Sequence, residues 1–248
     1  MQIDDYIAAV RREGELIAVT SETLSLDDPI PTCPGWQVRD LLRHLSSVHR
    51  WATEAITRPA HASFGAIEDR GGPWPADDEL IAWFREGHAA LVRALETAPP
   101  DLDCWYFLPA PSPLAFWARR QAHETAIHRA DIESVRGAIS PYDPEFALDG
   151  VDELLFGFVA RPQGKLRSPV PQRLLLYSVD PPARRLISIG ESGATIQRAS
   201  GTADCTVAGR APELYPFLWN RSNEAGLQIV GDRGVLDLWR DRSPVTWS

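Results

Sequence analysis

Residues 113–136 read PLAFWARRQAHETAIHRADIESVR, and the placement of their polar groups decides how the chain folds. Pro113 suits the first position of a helix, where its missing N–H would have no partner anyway. On a helical wheel advancing about 100° per residue, Leu114, Trp117, Ile132 and Val135 define an apolar stripe. Gln121, Glu124, His128 and Asp131 fall on that same stripe. A carboxylate and an imidazole are therefore aimed into a core, one turn apart. Burying a bare carboxylate is costly, so Glu124 needs a compensating charge or several hydrogen bonds. Glu124 and His128, at i,i+4, present their heads side by side, and a divalent cation would supply the missing charge. A plain Glu–His hydrogen bond, with Gln121 and Asp131 in one network, satisfies the same wheel. HETAIH is one residue too long for the HExxH metalloprotease motif. His123 and His128 stand about 140° apart and cannot chelate together, which puts His123 on the opposite face.

Working outward, residues 1–20, 37–55 and 77–97 also carry apolar positions at helical spacing, separated by the proline-rich stretches DDPIPTCPGW and GGPWP. With 113–136 they predict a four-helix bundle. One more helix is expected over 146–159. The character then changes: RLLLYSVD, RLISIG, ATIQRA and CTVAG are short β-prone runs, APELYPFLWNR reads as a helix strained by Pro216, and GLQIVGD and GVLDLW read as final strands. The expected architecture is a multidomain α+β chain, with a helical bundle over 1–160 and a small α+β domain over 161–248.

Composition narrows the function classes. Hydrophobic content of 44% and charged content of 24% are globular values, and no apolar run is long enough to span a bilayer. The first residues, MQIDDYIAAV, are acidic where a signal peptide would be basic, so a cytoplasmic protein is expected. A formal net charge of −9 argues against nucleic acid as a partner. Cys33, Cys104 and Cys205 are odd in number and widely spaced, which argues against a disulfide framework and a cysteine-only zinc site. A metal at Glu124 and His128 would need a third ligand from another helix. The helix over 37–55 offers His44 at the edge of its apolar stripe and His49 nearer the centre; periodicity does not choose, and leans toward His49.

The segment PTCPGWQVRDLLRHLSSVHRWA (31–52) resembles the N-terminal signature of the mycothiol-dependent maleylpyruvate isomerase family, within the wider DinB-like metal-binding bundles. WARRQAHETAIHRADIE (117–133) resembles the second signature of that family. VAGRAPELYPFLWNR followed by LQIVGDRGVLDLW is similar to its small C-terminal domain. The resemblance implies that His44, Glu124 and His128 hold a divalent metal, with zinc the expected ion. Two histidines and one carboxylate leave a coordination position open, as catalytic zinc sites do. In the family that position is thought to accept mycothiol, the small thiol of actinobacteria, and the basic residues of this chain, all arginine except Lys165, fit a GC-rich actinobacterial source.

The resemblance thus implies a metal-dependent isomerase or thiol S-transferase, with mycothiol as cosubstrate and a small electrophile as substrate, in a monomer or homodimer. A non-catalytic, metal-stabilised binding module and a hydrolase using zinc-bound water are the competing readings. Asp131 is expected to orient a ligand imidazole or hold substrate, or else to serve a plain hydrogen-bond role. Arg221, in LWNR, is placed by the resemblance to bind a substrate carboxylate, although most arginines are simply solvated. Cys33 reads as packing, Trp36 and Trp51 as core rather than substrate platform, and His61 and His88 have no partner pattern. GESG (190–193) lacks the context of a phosphate loop.

Overall fold

The computed structural model describes residues 1–58 and 73–243, so His61 lies outside the described residues. The chain divides into two compact units, Met1–Ser140 and a second that begins at Pro141. Described residues form seven α-helices and five strands.

The first unit holds α1 (Ile3–Ser21), α2 (Val38–Thr57), α3 (Leu80–Thr97, entered through a short turn at Asp77–Glu79) and α4 (Pro113–Ser134). Their starts follow from local chemistry. Ser112 accepts from Ala115 N at 3.1 Å and Pro113 takes the first turn of α4. Asp40 accepts from Gln37 N at 2.9 Å to open α2. Helix α1 packs on α3 and α4, and α2 packs on the same two from the other side. Ile17, Leu41, Leu42, Leu45, Val48, Leu80, Phe84 and Ile132 form the apolar core between them.

Helix α4 does not bury a stripe. Apart from Pro113, Ala115, Arg119 and Ser134, every one of its residues is buried. His123, expected on an outer face, is fully enclosed, with its ring edge-on to Tyr6. A helix so enclosed must pair its charges internally. Arg129 bonds Glu13 of α1 and Glu133 of its own helix, and Glu133 in turn accepts from Ser140 N and Oγ, both at 2.8 Å.

In the second unit α5 (Pro144–Asp152) is capped by Asp143 and continues as a widened π turn over Glu153–Val159. It packs on α6 (Ala211–Leu218), so the helix expected over 146–159 belongs with the second unit and not with the bundle. Strands β1 (Gln172–Val179), β2 (Pro182–Gly190), β3 (Gly193–Gln197), β4 (Cys205–Gly209) and β5 (Gln228–Gly231) form one mixed sheet in the order β3-β2-β1-β4-β5. Only β1 and β4 pair in parallel. The segment GVLDLW, expected as a strand, is instead the start of helix α7 (Gly234–Arg242). Asp232 accepts from Gly234 N at 2.8 Å, and Val235, Leu236 and Trp239 are the buried positions. Strand alternation would have put Asp237 on the same face as Val235 and Trp239; helical spacing turns it outward. Among the described residues no helix is long and apolar enough to cross a membrane.

Gly14 of α1 faces the His88 ring of α3. A Cβ there would lie 2.3 Å from His88 Nε2, the atom that donates to Val10 O at 2.9 Å. Helix propensity alone favours Ala over Gly by about 1 kcal/mol. Overpacking works the other way by about 1–3 kcal/mol and breaks a buried hydrogen bond. Gly14→Ala should therefore lower the urea midpoint; an increase would show that His88 has room to move.

Candidate metal centre

Two elements and one loop build the site. Helix α2 contributes His44, and α4 contributes Glu124 and His128 one turn apart. The donor atoms of these three residues all lie within 4.8 Å of one another. Both imidazoles direct Nε2 at the same carboxylate oxygen. Glu124 Oε1 is 3.4 Å from His44 Nε2 and 3.3 Å from His128 Nε2. These separations sit at the long limit of an N–H···O bond, whose usual range is about 2.7–3.2 Å. They match the edges of a tetrahedron around zinc: two bonds of about 2.1 Å at the tetrahedral angle set donors about 3.4 Å apart. The residues present therefore fit a divalent cation as well as they fit a hydrogen-bonded set.

Around this centre the polar groups are paired in a definite sense. His128 Nδ1 donates to Asp131 Oδ2 at 2.9 Å, which leaves the Nε2 lone pair to face Glu124 when the ring is neutral. Asp131 Oδ1 accepts from Thr32 Oγ1 at 2.7 Å. Glu124 Oε2 accepts from Arg120 Nη2 at 2.5 Å. The loop that carries Thr32 is closed by a bridge between Pro29 and Gln37 and turned by Gly35 at φ +88°, a left-handed conformation that glycine adopts without strain. This turn brings the Trp36 ring nearly parallel to that of His128, with centroids 6.1 Å apart, and to within 5.1 Å of His44. The His44 side chain is 19% exposed, against 9% for His128 and 6% for Glu124, so the centre opens on the His44 side.

Burial would push the Glu124 carboxyl up, but the Arg120 guanidinium and hydrogen bonds from His128 and His44 overcome it and hold the group well below the usual carboxylate range. Burial would lower His128; its hydrogen bonds to Asp131 and Glu124 prevail and raise it to about 9. Without a cation, then, a proton on His128 supplies the positive charge.

His49 is the more buried of the two α2 histidines, as its place on the stripe suggests, yet it lies apart from this set. Its Nε2 is 3.0 Å from Thr125 Oγ1, whose own proton goes to Gln121 O at 2.7 Å, so His49 is the donor. Burial and the neighbouring His88 keep its ring neutral. His88 is bonded to Val10 O, and Cys33 packs on the apolar core. Arg221 lies in the second unit, just after α6. Asn220, at φ 60°, ends that helix, and Arg221 Nη1 donates to Trp219 O at 3.0 Å. Sequence reading passed over Arg120 and Thr32, and took Trp36 for core alone. Arg120 had a usable signal, since it precedes the buried Glu124 by one turn. Thr32 had none, because its contact crosses ninety-nine residues.

Comparison with known proteins places the chain. Residues 8–133 match the model of the mycothiol maleylpyruvate isomerase N-terminal domain, and residues 145–238 match the C-terminal domain of the same family. The first match alone spans half of the chain, which therefore belongs to the mycothiol maleylpyruvate isomerase family. Crystal structures of mycothiol-dependent maleylpyruvate isomerase, in one form and in a histidine-to-alanine mutant, superpose with a TM-score of 0.64. Each covers 100% of this chain and 98% of its own, at 16% identity, a level that speaks for a shared fold. A search of curated proteins gives no match.

A metal ion must displace the His128 proton, so affinity should depend on pH. Below about 9 that proton competes; above it, competition ends. Calorimetric titration with zinc or cobalt should show affinity rising about tenfold per pH unit between pH 6 and 8, with about one proton released per metal. Affinity independent of pH would mean that His128 is not a ligand.

Proposed function

We propose that His44, Glu124 and His128 bind one divalent metal ion, zinc in the first instance, and that the protein uses it with mycothiol as a thiol-dependent isomerase or S-transferase of a small electrophile. The observation that carries this reading is the convergence of both imidazole Nε2 atoms on one carboxylate oxygen at tetrahedral-edge distances. Family membership supports the thiol, and within the two outcomes it supports isomerisation.

A zinc ion held by these three residues supplies the charge that converts a thiol, ordinarily with a pKa near about 8.5, to thiolate at neutral pH. The chain's own residues arrange the rest. Asp131 is a positioning residue: it accepts the Nδ1 proton of His128 and keeps the Nε2 lone pair turned to the centre. Thr32 fixes Asp131 from the loop, and Trp36 walls the two imidazoles on one side. The partly exposed His44 marks the edge where small molecules enter. A substrate-carboxylate role for Arg221, which lies in the second unit and gives Nη1 to Trp219 O, is proposed on the family resemblance alone. Addition of the thiol sulfur to one carbon of an activated double bond leaves a single bond, about which the adduct turns. Expulsion of the same sulfur, as the electron pair held by the activating group returns, restores the double bond in the other geometry; retention of it, with a proton taken up from solvent at the other carbon, gives an S-conjugate.

The test is metal analysis combined with thiol titration. Wild-type protein should carry one metal per chain, and adding mycothiol to the cobalt form should produce a sulfur-to-cobalt absorption band. His44→Ala should lose the metal. His49→Ala should keep it while losing about 2 kcal/mol or more of stability, because the change opens a cavity and strands the Thr125 oxygen. Metal loss in His49→Ala with retention in His44→Ala would reverse the ligand assignment. A cobalt spectrum indifferent to mycothiol would remove the thiol chemistry.

A further inference from the structure

The two oxygens of Glu124 face different partners. Oε1 is the atom that both imidazoles approach, at 3.4 and 3.3 Å. Oε2 is held by Arg120 Nη2 at 2.5 Å. The Arg120 side chain is 2% exposed and that of Glu124 is 6% exposed, so neither can exchange this contact for water. They stand at i,i+4 on α4, and the helix itself keeps them in register.

A carboxylate can bind a cation through one oxygen or through both. The second mode adds a donor and fills a position that an exogenous ligand would otherwise use. With Oε2 accepting from a buried guanidinium, its remaining lone pair is the weaker donor and Oε1 is favoured. We propose that Arg120 is a positioning residue for the metal centre: it confines Glu124 to one-oxygen coordination and so keeps a coordination position open for an incoming thiol. This rests on the metal reading given above. The guanidinium also draws charge from the carboxylate. Glu124 becomes a weaker donor, and the ion it holds stays more acidic toward whatever occupies the open position. A salt bridge that served stability alone would leave both coordination number and thiol affinity untouched when replaced.

The experiment uses cobalt-substituted full-length protein, with the wild type compared with Arg120→Met and Arg120→Lys. Cobalt stoichiometry is measured first, because a wild type that binds none defeats the metal reading itself, before Arg120 is in question. Given one cobalt per chain, Arg120→Met should bind cobalt through both oxygens. Its visible absorptivity should fall about threefold as the tetrahedral character is lost. Its mycothiol dissociation constant should rise about tenfold. Arg120→Lys, which keeps a donor cation within reach of Oε2, should recover the wild-type spectrum. An Arg120→Met protein with full occupancy, unchanged absorptivity and unchanged thiol affinity would overturn the proposal. Should that variant fail to fold, zinc X-ray absorption on the wild type decides. Four light neighbours, comprising two nitrogens, one carboxylate oxygen and an exchangeable water, are expected; five, with both Glu124 oxygens bound, would overturn it.

Discussion

A carboxylate buried inside a helical bundle is the constraint around which the first unit is arranged. Glu124 is enclosed on α4, a helix with almost no exposed face, and its charge has to be balanced from within. Arg120 answers one oxygen and two imidazoles converge on the other. Each of those partners needs support of its own. Asp131 holds His128, Thr32 holds Asp131, and Thr32 depends on a loop that Gly35 turns back toward α2. The chain of dependence runs from a single buried charge to a loop ninety residues away. A bundle held by apolar contacts alone would need none of it.

Polar groups elsewhere on α4 follow the same logic with a different result. Arg129 lies between Glu13 and Glu133, with both ends closed by protein donors and acceptors. That network is complete as it stands. The His44–Glu124–His128 set differs in that its two histidine contacts to Glu124 are long for hydrogen bonds and converge on one oxygen. Short, closed contacts suit the first network to a structural role, whereas the long, convergent contacts of the second leave room for the proposed cation.

Much of this was legible in the amino-acid sequence, and the failures have identifiable causes. Helices broken by proline-rich loops announced the bundle, and the wheel put Glu124 and His128 on one inward line. The same wheel assumed a single buried face, so it turned His123 outward and overlooked Arg120; full enclosure of a helix is a tertiary fact that periodicity does not carry. Burial also did not indicate which of His44 and His49 lies beside Glu124. The deeper ring spends its Nε2 on Thr125, whereas the more exposed one faces the carboxylate. Family resemblance selected His44 where local pattern could not. GVLDLW was misread because six residues with β-branched and aromatic content fit either period, and the burial of Val235, Leu236 and Trp239 that favours the helix is visible only in three dimensions.

The central claim is that one cation sits among three named side chains. Anomalous diffraction from zinc-loaded crystals at the zinc edge tests it most directly. The account predicts one strong peak in the first unit, about 2.0–2.2 Å from His44 Nε2, His128 Nε2 and Glu124 Oε1, with none beside His49 or Cys33. A peak on other residues, or a saturated protein with no peak among these three, would contradict it.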